Sequence, residues 1–188
     1  MTLSLPIAPE ANELLNSSSL ALLSAMLLDQ QIPLERAFAA PYELAKRLGH
    51  DLDAEELADY DPEALVGIFS RTPALHRFPK AMAKRVQELC RVLVDQYGGD
   101  AARVWIEAGT GEELLKRVGA LPGFGDQKAK IFVALLGKGL DVQPEGWRDA
   151  AGVYGEEGSH RSVADIVDED SLARVRAYKQ EAKRAAKK

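Results

Sequence analysis

Apolar residues recur along this chain at spacings of three and four, the period of a helix, and nowhere alternate over the length of a strand. The pattern predicts a succession of helices. One spans 9–15, and the serines at 17–19 offer caps to the next, where Leu20, Leu23, Met26, Leu27 and Leu28 mark the centre of the core. That helix runs into Asp29-Gln30-Gln31-Ile32-Pro33, where Pro33 disfavours helical geometry at Ile32 and itself starts a helix over 34–40. Short helices follow over 41–48, closed by Gly49, and over 53–58. Asp61-Pro62-Glu63 combines a capping acid, a first-position proline and a second acid at the positive end of the helix dipole, and leads into 64–69. After an irregular stretch over 73–78, Pro79 opens the longest amphipathic segment. Met82, Val86, Leu89, Leu93 and Tyr97 form its apolar stripe, and Gly98-Gly99 stops it. Helices are expected next over 101–108, over 112–118 with Thr110 as cap, and over 126–136. Beyond Gly139 the periodicity weakens to a short helix over 144–150, a surface loop over 152–158 and a final helix capped by Asp168 or Asp170. The predicted class is all-α.

Between two of these helices stands Leu121-Pro122-Gly123-Phe124-Gly125. Two glycines around one apolar residue open backbone conformations closed to residues with a Cβ, and leave bare amides at the start of the second helix, where a phosphate can bind. Composition bounds what such a turn can serve. With 188 residues, 46% of them hydrophobic, the chain can bury one core, or a core split into two lobes. Cys90, the single cysteine, excludes an internal disulfide, a four-cysteine zinc site and an iron–sulfur cluster, so no metal or cofactor is expected. It lies beside the apolar stripe and reads as core. No apolar run reaches the roughly 20 residues needed to cross a bilayer, and no signal-peptide pattern opens the chain, so a soluble cytoplasmic protein is expected.

The net charge of −5 counts against indiscriminate binding to a polyanion and leaves room for a local basic face. Lys116, Arg117, Lys128, Lys130 and Lys138 surround the glycine turn, Lys80, Lys84 and Arg85 stand near the start of the long helix, and a basic tail ends the chain. From Arg174 to Lys188 that tail holds seven basic residues and a single acid, Glu181, and reads most simply as a solvated helix end.

Four stretches carry a resemblance. The string from Val118 to Ala129, through Leu121-Pro122-Gly123-Phe124-Gly125-Asp126-Gln127-Lys128, resembles the helix-hairpin-helix of DNA glycosylases in the endonuclease III, or HhH-GPD, superfamily. Leu22-Leu23-Ser24-Ala25-Met26-Leu27-Leu28-Asp29-Gln30-Gln31 resembles the early apolar helix of that family, ending in glutamine. Pro79-Lys80-Ala81-Met82-Ala83-Lys84-Arg85 is similar to the opening of its long helix, and Tyr97-Gly98-Gly99 to the end of that helix. The match covers about 18–141.

The resemblance implies a two-lobed helical glycosylase fold, with a core lobe over 18–137 that includes the hairpin at about 111–137, and a smaller lobe built from 1–17 and 138–188. It implies backbone binding of a DNA phosphate at Gly123, Phe124 and Gly125 and the amides that follow, with Gln127 and Lys128 beside them. Asp126 departs from the pattern and reads as a helix cap that repels a ligand anion, while Ala129 is small where the hairpin helices meet. A flipped base leaves a gap in the stack, and the family's glutamine lies there; Gln31, with Gln30 as neighbour, takes that place, against the simpler reading of two solvated amides. The catalytic carboxylate of the family, at the start of the helix after the hairpin, corresponds to Asp141, or less closely to Glu145, and the alternative for Asp141 is a cap or loop acid. The lysine of the lyase members is replaced by Gln127, with Lys128 turned about 100° away, so a monofunctional enzyme is implied.

Two functions follow from the resemblance. One is a monomeric, nucleoid-associated DNA N-glycosylase of base excision repair, which flips a damaged or mismatched base of duplex DNA into a pocket lined from 65–78 and the segments around Asp141. The other is a catalytically inactive relative that keeps only DNA binding. Trp147 and Tyr154 are aromatics able to stack on a base, although core packing suits Trp147 better.

Overall fold

A computed structural model describes residues 2–187. Those residues form eleven α-helices and two short 3-10 turns, with no strand among them. They divide into two compact units, Ile7–Ile106 with Ala120–Phe124, and Met1–Pro6 with Glu107–Gly119 and Gly125–Lys188. This is not the expected division, because both hairpin helices group with the C-terminal region. Only the tip of the hairpin belongs to the unit formed by the preceding helices.

The first unit is built around α2 (Ser19–Leu28), which follows α1 (Pro9–Ser17) and is capped by Ser18, whose side chain accepts from the Ala21 amide. Every residue from Leu20 to Leu28 is buried, as an all-round apolar helix requires. The next helix, α3 (Leu34–Leu48), runs straight through Pro41, where the sequence predicted two helices. Pro41 forfeits one backbone hydrogen bond. The continuous buried face of Ala37, Phe38, Ala40, Pro41 and Leu44, packed on α2 and α1, outweighs that loss. Asp53 and Asp61 cap α4 (Ala54–Asp59) and α5 (Pro62–Ser70) through their side chains, and both helices pack on α6 (Pro79–Tyr97). The stripe on α6 is buried as expected, and α6 ends in two left-handed glycines, Gly98 and Gly99. Of the helix expected over 101–108 only one turn forms, α7 (Arg103–Ile106).

Cys90 is fully buried on α6, and burial pushes its thiol up to about 12. The thiolate is the reactive form, so Cys90 is expected to resist a maleimide in the folded protein and to react once denaturant is added. Labelling followed by mass spectrometry checks this.

The second unit is built around α9 (Asp126–Gly139), which packs against α8 (Gly111–Gly119), α10 (Trp147–Ala151) and the 3-10 turns η1 (Gly152–Tyr154) and η2 (Val163–Asp165). Thr110 caps α8, and Glu113 accepts from the Gly109 amide, a contact that with Arg117 holds its carboxyl below the usual carboxylate range. Ala129 sits 3.9 Å from where a Cβ on Gly119 would lie, which is the close helix contact expected of a small residue. Trp147 is core: its ring lies on Gly137, where an added Cβ would come within 2.4 Å of it. Lys138 is committed to a buried pair with Asp165 at 2.6 Å, and so holds the 155–165 loop on the end of α9. The last helix, α11 (Glu169–Ala185), is capped by Asp168 and packs on η2.

Candidate functional site

The glycine turn is built asymmetrically. Gly123 has φ +81°, and a Cβ there would press on Leu27 Cγ at 3.3 Å and on the Arg85 guanidinium at 3.5 Å, so only glycine fits. Gly125 is extended at φ −78° and ψ 178°, with nothing within 4 Å of its Cβ position. Its lack of a side chain answers a different need. As N-cap of α9 it offers no capping oxygen, and among the described residues nothing accepts from the amides of Gly125, Asp126 or Gln127. Those N–H groups stand at an exposed helix N-terminus, where an anion is favoured.

The neighbours of the turn divide into participants and spectators. Phe124 was expected to touch DNA, but its side chain is buried and its amide donates to the Leu121 carbonyl, so it serves the turn and neither group is available to a phosphate. Asp126 is not the cap either: it is the first residue of the helix and pairs with Lys130 at 3.1 Å, which offsets its charge. Arg117 is bound to Glu113 and Glu107, and Lys138 to Asp165. Three of the five cations around the turn in sequence are thus paired with acids, and the guanidinium of Arg85 on α6 lies beside Gly123. Gln127, at the position of the lyase lysine, donates to the Tyr154 hydroxyl at 2.8 Å.

Gly125→Ser gives a clean separation of stability from binding. The Ser hydroxyl would cap the open amides, stabilising α9 by about a few tenths of a kcal/mol while competing with phosphate. Thermal melting is expected to rise slightly and duplex affinity, measured by fluorescence anisotropy, to fall.

At the end of α2 the two glutamines part. Gln30 folds back, its side chain donating to the Leu27 carbonyl at 3.0 Å, whereas Gln31 is exposed with φ 56°. The turn is pinned by His76, which is wholly buried. His76 Nδ1 accepts from the Phe78 amide at 3.0 Å, so the ring proton is on Nε2, which faces the carbonyls of Leu28 at 3.1 Å and Gln30 at 3.0 Å. Sequence reasoning placed 73–78 near a pocket and missed this role, since nothing local links His76 to Gln30.

Asp141 occupies the second position past α9, after the C-cap Leu140. Leu140 and Val142 both return their amides to the Leu136 carbonyl, Gln143 donates to the Gly137 carbonyl, and between them Asp141 is exposed with φ 57°. An acid here stands against the negative end of the helix dipole, on a left-handed backbone that among non-glycine residues mainly Asn and Asp visit. Gln31 and Asp141 are the two non-glycine residues with positive φ among those described. Such outliers concentrate at functional sites. Glu145 instead forms an isolated bridge with Thr110, its carbonyl accepting from Gly111 at 2.7 Å, and its exposed side chain lines a shallow cavity with Glu112 and Asp149. Asp141 does not open the following helix, since α10 starts at Trp147 behind Gly146.

Fold and site together define an all-α helix-hairpin-helix protein. The family model described as HhH-GPD superfamily base excision DNA repair protein matches residues 24–188, and the chain belongs to that superfamily. No curated protein and no solved structure matches it.

Proposed function

We propose that the protein is a monofunctional DNA N-glycosylase of base excision repair, which binds duplex DNA through α8, the glycine turn and α9, and hydrolyses the N-glycosidic bond of a flipped damaged or mismatched base. The observation that carries this reading is α9 itself, with open amides at its N-terminal end and a carboxylate held in a left-handed conformation at the other. A phosphate on the amides fixes the register of the duplex without reading sequence. As the base departs, positive charge develops on the sugar; the Asp141 carboxylate stabilises it and orients the water that replaces the base. Gln31, exposed on its turn, fills the gap left in the stack.

Gln127 supports the absence of a lyase step. Its amide is no nucleophile and is held by Tyr154, so no Schiff base forms with the sugar. The test is a panel of duplexes with different lesions, read for free base and for strand breaks. Free base is expected from at least one lesion, with the strand cut only after hot alkali and no borohydride-trapped cross-link. Breaks without alkali would overturn the monofunctional assignment. A second reading, a DNA-binding relative without base release, is favoured by the position of Asp141 at the end of α9 instead of the start of α10. Salt-dependent duplex binding with no base released from any lesion would establish it.

A further inference from the structure

Charge is distributed along this chain with one large asymmetry. Of 24 lysines and arginines, seven lie between Arg174 and Lys188 beside one of the 29 acids, so that segment carries +6 and the rest of the chain −11. The buried residues of α11, Ser171, Leu172 and Val175, all lie in its first half; Arg161 lies over the Tyr178 ring at 5.9 Å, and every side chain from Arg176 to Lys187 is exposed. The distal half buries no side chain and relies on strong helix formers such as Ala177, Ala182 and Ala185.

Its cations form a pattern. Arg176, Lys179 and Lys183 follow at spacings of three and four, which at about 100° per residue places them within an arc of roughly 60°, in a stripe roughly 10 Å long, and Lys187 follows just past the helix end. Like charges four residues apart on a helix repel, so Lys179 and Lys183 weaken the helix they stand on. A bound polyanion removes that penalty. The uncharged residues between them are Ala177, Gln180, Ala182, Ala185, Ala186 and Tyr178, with no aliphatic face to bury among lipid tails, which argues for phosphodiesters over a membrane.

The root of this arm is fixed. α11 packs on η2, η2 packs on α9, and Lys138 near the end of α9 pairs with Asp165 of η2. The arm therefore starts at the C-terminal end of α9, roughly 18 Å along that helix from the open amides, too far to share a phosphate with them. We propose that the distal half of α11 is a second DNA contact, a cationic arm that binds the phosphate backbone outside the hairpin's footprint and reads no sequence. The proposal rests on the reading of this protein as a DNA-binding repair enzyme.

The test compares the full-length protein with a variant carrying Arg176→Gln, Lys179→Gln, Lys183→Gln and Lys187→Gln, by anisotropy titration of an undamaged and a lesion-containing duplex over a range of salt. Four lost phosphate contacts lower the slope of log affinity against log salt by about 3 to 4, with at least about a tenfold loss of affinity at moderate salt. The loss is expected to be equal for the two duplexes, and helix content by circular dichroism to be retained, since all four side chains are exposed. Wild-type binding that the four substitutions leave unchanged in strength and slope overturns the arm and leaves the repair reading intact. No salt-dependent duplex binding by the wild type overturns both. Arm-dependent binding to anionic phospholipid vesicles, with duplex affinity unchanged by the substitutions, overturns the proposal in favour of a membrane.

Discussion

Asp141→Gly is expected to make the protein more stable and to abolish base release. The two effects have separate causes. At φ 57° an L-residue pays a steric cost of about 1 kcal/mol that glycine does not, and removing the acid also relieves the negative end of the α9 dipole. If the carboxylate stabilises charge developing on the sugar, its loss costs about 100-fold or more in rate, as the loss of one electrostatic contact in a reacting site does. Asp141→Asn separates the two, because asparagine tolerates left-handed backbone while carrying no charge. It is expected to melt within a degree or two of the wild type and to be as inactive as Asp141→Gly. A stabilised Asp141→Gly that still releases base would mark Asp141 as a helix terminator and nothing more.

His76→Leu carries the second large effect, this time on stability first. The imidazole has no exposed surface and serves three backbone groups, the carbonyls of Leu28 and Gln30 and the amide of Phe78. Leucine fills a similar volume but leaves those groups without their partner, and an unsatisfied buried group costs about 1–3 kcal/mol. Urea denaturation is expected to show a loss in that range or slightly above. The turn held by His76 is the one that sets Gln31 in its left-handed conformation, so base release is expected to fall further than folded fraction explains. Loss of stability alone, with full activity per folded molecule, would confine His76 to the core.

Much of the architecture was legible because its signals are local. The capping acids Asp61 and Asp168, the buried stripe on α6, the terminating Gly49 and the all-apolar α2 each follow from residues within a few positions of one another. The glycine turn and Thr110 were legible for the same reason. Pro41 was misleading locally, since its cost is offset by a buried face that only packing reveals. The grouping of the hairpin helices with the C-terminal region depends on where the 155–165 loop binds, through Lys138 and Asp165, which are 27 positions apart. Three features of the candidate site share this character. Arg85 beside Gly123, His76 under Gln30 and the pairing of Lys138 with Asp165 are tertiary contacts, and the basic face read from sequence around the turn included three cations, Arg117, Lys130 and Lys138, that are paired with acids. Positive φ at Gln31 and Asp141 was equally out of reach, because neither is the glycine that announces it.

Single-turnover release of base from lesion-containing duplexes by wild type and Asp141→Asn, with enzyme in excess over DNA, tests the chemistry proposed for Asp141 most directly. The expected result is release by the wild type from at least one lesion and a rate at least about 100-fold lower in the variant, with duplex affinity unchanged. Equal rates for the two proteins would contradict the role given to Asp141 and, with it, the proposed chemistry.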